Sequence, residues 1–413
     1  MDPFQQYTGV AFLWIYLSSI LVFVFGIGQT MFISKFLNIS QRKGILIYVW
    51  HTLICIVHYL WIMEVAKSDV FGTYVTSLKP DLYMWWSQQA AQDQYLTNVF
   101  IVIFYRIFSY YLKFSFFTTF LVINILGSNA ILLIEYFYRK LSINFNRNLK
   151  FVLGLFIWLP TLHFWTALGK DALIILSILL ITYSLENLKK RFLFAIPSLI
   201  IITILRNYIA IMIIGSIILS ILLNSSSIKQ SSKIVFLIFA FTSLFFVFPI
   251  VNSFLFNGNL QNINSVLEVI TYNAKVTSVG SYALDPNANF FSRIFAYIFR
   301  PLFFDVRNPL GLVLSFDNFI LLIIAVYSVI YFVKLKCLRL AFKNQISIFC
   351  ASFSLSTTFF LSLSTSNLGI AARHKYMFLP VVFILILRIF QNAFIKKSSN
   401  NNKSINLKLD KVI

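Results

Sequence analysis

The sequence predicts an all-α fold, a polytopic transmembrane helical bundle of about eleven spans with two large outer loops. Three observations predict it. Apolar residues make up 59% of the 413 positions and charged residues only 11%, where a soluble domain carries roughly a quarter charged residues. So much apolar surface cannot be hidden inside one globule, and lipid must solvate much of it. The 47 Phe and 20 Tyr suit lipid-facing and interfacial positions. Finally, Lys and Arg collect in alternate short loops, which orients such a chain in a membrane.

A span needs ~20 apolar residues, fewer where neighbours shelter a broken helix. Candidate spans fall at 8–36, 45–63, 115–138, 151–166, 170–185, 192–205, 208–224, 234–255, 317–334, 346–364 and 377–394. Basic residues follow every second span: Arg42 and Lys43, then Arg139, Lys140, Arg147 and Lys150, then Lys189, Lys190 and Arg191, then Lys229 and Lys233, then Lys334, Lys336, Arg339 and Lys343. Together with Lys396, Lys397, Lys403, Lys408 and Lys411 they define the cytoplasmic side. The N-terminus is then outside and the C-terminus cytoplasmic, in a multi-pass protein of the cytoplasmic (inner) membrane. The expected organisation is a transmembrane domain over 1–395, with outer loops 64–114 and 257–316, followed by a disordered cytoplasmic tail over 396–413.

The first outer loop carries the cluster Tyr83-Met84-Trp85-Trp86, suited to an interfacial helix, and a segment near 96–112 apolar enough to dip into the membrane. The second ends in FFSRIFAYIFRPLFFDVRNP, which reads as an amphipathic helix on the outer interface stopped by Pro301. The net charge of +21 reflects the positive-inside bias and implies no nucleic acid, since no basic stretch is interleaved with a soluble fold. Cys55, Cys337 and Cys350 lie in or beside apolar runs without CxxC spacing, so neither a disulfide framework nor a metal site follows. No cleavable signal peptide is expected, because the first apolar stretch is long enough to span. No internal repeat is apparent, which argues against an inverted-repeat transporter.

Ionisable residues gather in the outer connections. Between the fourth and fifth spans, Pro160 to Asp171 contains His163, Trp165, Gly169 and Lys170. Free N–H groups at a helix start favour an anion, and Lys170 adds a full positive charge. The plainer reading makes Asp171 a helix-start acid and Lys170 an interface anchor. Arg206 stands between two apolar runs, a costly place for a charge unless it is paired, lines a wet cavity or snorkels to headgroups. Arg293, Arg300 and Arg307 are spaced by seven, with Asp305 available to pair with a neighbour. Lipid headgroups are the plain ligand for such a helix. The last outer loop sets Arg373, His374 and Lys375 against the positive-inside tendency, which points to anion binding. Lys170, Arg206, Arg300, Arg307, Arg373, His374 and Lys375 would then form an outward basic pocket for a lipid phosphate or pyrophosphate. His51 and His58, seven apart, share a helix face and read as buried hydrogen-bonding residues.

This arrangement resembles the bacterial oligosaccharide repeat-unit polymerases (the Wzy or O-antigen polymerase type) and, more loosely, the GT-C membrane glycosyltransferases. The arginines of the outer loops, the large loop before a late span, and the segments LPTLHFWTALGKDALI and SNLGIAARHKYMFLP carry the likeness. It implies a GT-C-like bundle that handles polyprenyl-pyrophosphate-linked glycans as donor and acceptor, with membrane lipids and a chain-length regulator as partners. Arginines would hold the pyrophosphate while an acceptor hydroxyl attacks the anomeric carbon, and His163, His374 or Asp171 would serve as base. No cofactor is implied. Glu64, Asp69, Asp81 and Asp93 lack the paired acids of metal-using GT-C enzymes, so no metal is expected. A soluble C-terminal domain of the kind some GT-C members carry is not expected. A lipid-linked oligosaccharide flippase and a non-catalytic membrane assembly subunit remain the alternatives.

Overall fold

In the computed structural model, residues 12–65, 69–79, 95–167, 169–224, 288–306, 308–337 and 344–409 are described. The Trp/Tyr cluster at 83–86, the candidate span 234–255, most of the second outer loop and Arg307 lie outside them. The regular structure of the described residues is helical. We number the helices α1 (Phe12–Phe36), α2 (Gln41–Val65), α3 (Asp69–Ser77), α4 (Tyr95–Arg106), α5 (Phe116–Leu141), α6 (Arg147–Gly154), α7 (Pro160–Thr166) and α8 (Gly169–Leu185). The series continues with α9 (Leu188–Leu205), α10 (Asn207–Asn224), α11 (Phe290–Phe299), α12 (Pro309–Leu335), α13 (Gln345–Ser364), α14 (Leu368–Lys375) and α15 (Leu379–Leu409).

Among the described residues six helical stretches are long and apolar enough to cross a membrane, and seven if α14 and the first part of α15, bent by 50°, count as one span. This is a multi-pass membrane protein. The helices show the inversion that lipid demands. In α1 the buried positions are Ser18, Val22, Gly26, Thr30 and Ser34, a stripe spaced by four, while Leu13, Phe25 and Phe32 face outward. Small and hydroxyl-bearing residues let helices approach closely where lipid offers no hydrophobic drive between them. Ser18 and Ser19 accordingly hydrogen-bond Thr118 of α5, and Gln29 donates to Asn129.

The described residues divide into two units, 12–133 with 160–211, and 134–159 with 212–224 and 288–409. In the first, α1 packs on α2, α7 on α2, and α8 forms an antiparallel hairpin with α9. Gly127 of α5 is one place where this unit closes tightly against backbone. A Cβ there would stand 2.2 Å from the Thr166 carbonyl oxygen and 2.7 Å from His51 Nε2. In the second unit, α11 lies against α12, α13 and α14, and α15 returns alongside α13.

Several boundaries differ from the sequence reading. The candidate span 317–334 begins eight residues earlier, because Asn308 caps α12 and Pro309 occupies its first turn. The candidate span 151–166 is broken into α6, a 3₁₀ turn at Leu155–Trp158 and α7, with Pro160 opening the last piece. The first-loop segment expected to dip into the membrane is α4, prolonged by a π-helical turn at Ile107–Tyr111. The helix α15 runs on to Leu409, into the tail that its polar composition marks as disordered. The amphipathic helix stops at Phe299, as Pro301 requires, with Arg300 already extended.

Candidate functional site

Two clusters of buried polar groups arise, one in each unit. In the first, α7 lays His163 against α2, and one Nδ1 of the His51–His163 pair donates to the other across 3.0 Å. Two turns further along α2, His58 Nδ1 donates to the Phe164 carbonyl oxygen at 2.7 Å, its ring stacked on the Phe164 ring. All three imidazoles are fully buried. His51 and His58 thus take the hydrogen-bonded core role that their shared face implies, and His163 joins them instead of facing outward.

At the start of α8, Gly169 adopts φ +37°, a left-handed conformation that glycine tolerates without strain. Tyr105 Oη lies 3.5 Å from where a Cβ on this residue would be. Asp171 is fully buried in the first turn of α8, where the helix dipole favours a carboxylate, and its charge acts on Tyr105. Lys170 is half-buried. Because α8 and α9 run antiparallel, Arg206, the C-cap of α9, returns to the same end of that hairpin as Lys170 and Asp171. Its Nη1 donates to Tyr208 Oη at 3.2 Å.

In the second unit, the end of α13 and the starts of α12 and α15 share one end of the helices, and the basic residues gather there. Arg293 is only 6% exposed. Its Nε donates to the Ser362 carbonyl oxygen at 3.3 Å and its Nη2 to that of Leu363. It faces the end of α13, an arrangement that suits a buried brace better than a headgroup ligand. Arg300 grips both carboxylate oxygens of Asp305, which also accepts the Leu302 N–H at 2.8 Å. The hydrogen bond to that carboxylate raises the Arg300 guanidinium above its ordinary range.

Lys375 departs most from expectation. Of the three basic residues in the last outer loop it alone turns inward, with no exposed surface, while Arg373 and His374 are half-exposed. Its Nζ donates to Asn318 Oδ1 and, at 3.0 Å, to the Ile298 carbonyl oxygen, and the Asp317 charge acts on it. Asn318 in turn donates from Nδ2 to the Pro301 carbonyl oxygen at 2.8 Å. Asp317 and Asn318, both fully buried, escaped sequence reasoning. A readable signal existed, since an adjacent Asp and Asn inside the apolar run LSFDNFILLI is expensive in lipid and marks a site by default.

No protein-family model, curated protein or solved structure matches this chain. Its chemistry is read from these clusters alone. Of the sequence-derived set, His163, Lys170, Asp171 and Arg206 belong to the first unit, and Arg300, Arg373, His374 and Lys375 to the second.

Proposed function

We propose that this chain transfers or polymerises polyprenyl-pyrophosphate-linked oligosaccharide units at the outer face of the cytoplasmic membrane, during surface polysaccharide synthesis and without a metal. The full proposed topology has about eleven spans, with the N-terminus outside and the C-terminus cytoplasmic. It counts the short apolar helices α8, α9 and α10 as spans, together with the segment 234–255. The observation that supports the reading best is the collection of Arg300, Arg373 and His374 at one end of the second unit's apolar helices.

Arginine suits this task because its planar, permanently charged fork matches phosphate oxygens in pairs. In the proposed step an acceptor hydroxyl attacks the anomeric carbon and the bond to the diphosphate breaks. The hydroxyl proton passes to a base, and the polyprenyl diphosphate leaves. Fixed positive charge that stabilises the leaving diphosphate lowers the barrier. Among the three base candidates, His374 is half-exposed on the same turn as Arg373, whereas His163 and Asp171 are fully buried. His374 is therefore the preferred base. The test uses purified protein in nanodiscs supplied with a polyprenyl-pyrophosphate-linked repeat unit. Arg373→Ala should lower turnover by roughly a hundredfold, the scale of losing one preset charge-stabilising donor, with unchanged protein level. Full-length polymer from this variant would sink the proposal.

One observation favours a second reading, translocation of a lipid-linked oligosaccharide. Ionisable residues inside apolar helices often line ion or substrate paths, and His51, His163, Asp317 and Lys375 are all fully buried. Movement of a labelled glycolipid across protein-containing vesicles without polymer formation would establish that reading in place of the first.

A further inference from the structure

We propose that Asn318 and Lys375 are positioning residues that join the Arg300 elbow to the Arg373–His374 turn as one diphosphate-binding face, an inference that rests on the functional reading above. Three hydrogen bonds carry it. Asn318, on α12, holds the Pro301 carbonyl oxygen with its Nδ2 and receives the Lys375 ammonium on its Oδ1. Lys375 Nζ also holds the Ile298 carbonyl oxygen. One amide therefore touches both basic segments. On one side Pro301 directly follows Arg300, and Ile298 lies two residues before it. On the other, Lys375 directly follows His374.

This geometry assigns different work to chemically similar residues. Lys375 has no surface to offer a ligand, and the Asp317 charge acts on it within the fold. A buried ammonium that lost such partners would be strongly destabilising, so the cluster holds both segments to α12 with little play. Arg373 and His374 lie on the same short helix and are partly exposed. Arg300 spends Nε and Nη2 on Asp305 and retains its remaining donors. The ligand class is a diphosphate, either free or carried by a prenyl lipid.

The experiment titrates the full-length protein, in phosphatidylcholine nanodiscs, with inorganic diphosphate and separately with farnesyl diphosphate, and reads binding by calorimetry. Tighter binding of farnesyl diphosphate assigns the face to a lipid-borne ligand, and equal binding assigns it to the free anion. Either result supports the face. Asn318→Leu should weaken both ligands by tenfold or more. Asn318→Asp keeps an acceptor for Lys375, gives up the donor to Pro301 and adds a buried carboxylate beside Asp317, whose charge the Lys375 ammonium offsets in part. It should weaken binding of both ligands while the protein stays folded. Combined with Arg300→Ala, it should bind no more weakly than Arg300→Ala alone, a non-additivity that a role in folding alone would not produce. If Asn318→Leu does not fold, Asn318→Asp decides the matter. Wild-type affinity in folded Asn318→Asp overturns this inference and leaves the functional reading standing. A wild-type protein that binds neither diphosphate overturns both.

Discussion

Replacing Arg293 by Met separates two physical roles for a cation at the membrane boundary. The side chain is 6% exposed and donates to the carbonyl oxygens of Ser362 and Leu363. These belong to the last turn of α13, whose carbonyls have no partner within their own helix. Hydrogen bonds from a charged group contribute about 1.5–3 kcal/mol each, and the 3.3 Å bond from Nε belongs at the lower end. Methionine matches the length of the stem and spares the burial of a charge, which offsets part of the loss. The expected net destabilisation is about 3 kcal/mol, roughly a hundredfold in the folding equilibrium. Arg293→Lys can reach one carbonyl at a time and should lose about half as much. The measurement is reversible unfolding in mixed micelles, followed by tryptophan fluorescence. A headgroup-binding arginine would behave oppositely. If Arg293→Met unfolded like wild type but lost a preference for phosphatidylglycerol over phosphatidylcholine, the buried-brace argument would be refuted.

Gly127→Ala places a methyl group 2.2 Å from the Thr166 carbonyl oxygen, so backbone must move, and a loss of about 1–3 kcal/mol is expected in the same unfolding assay. Gly28→Ala is the control, because nothing lies within 4 Å of its added carbon, and there the helix should gain up to ~1 kcal/mol. For the imidazole pair, His51→Phe and His163→Phe should each cost about 1–2 kcal/mol, and the double variant little more than one of them. Strict additivity would show that the 3.0 Å contact contributes nothing.

Much of the helical layout was legible because each described candidate span is an apolar run, and apolar runs in lipid are helices. The predicted span starts at 317, eight residues inside α12. Asn308 before Pro309 marked the true start. The same signal recurs at Asn146, Asn187, Asn289, Asn344 and Asn367, each accepting a backbone N–H of the helix it precedes. Local pairs were equally readable. Arg300 and Asp305 are five apart, and the turn after α11 brings them together. What spacing could not encode are partners distant along the chain. His51 meets His163 across 112 positions, and Lys375 meets Asn318 across 57.

The difference between Arg373 and Lys375 shows what kind of information was missing. Two residues apart at the end of α14, they carry the same charge in the same polar-looking segment, so composition assigns them one role. On a helix that spacing turns side chains by about 200°, and opposite faces meet opposite surroundings. One face of α14 meets α11 and α12, where Ile298 and Asn318 supply oxygens that can satisfy an ammonium, and Lys375 occupies it. A charge enters such a place only when acceptors are waiting, because an unsatisfied one would cost more than the packing returns. The basic residues of the second unit therefore fall into two layers, an inner one that holds segments in place and one that is partly exposed. Only the partners reveal which residue belongs to which.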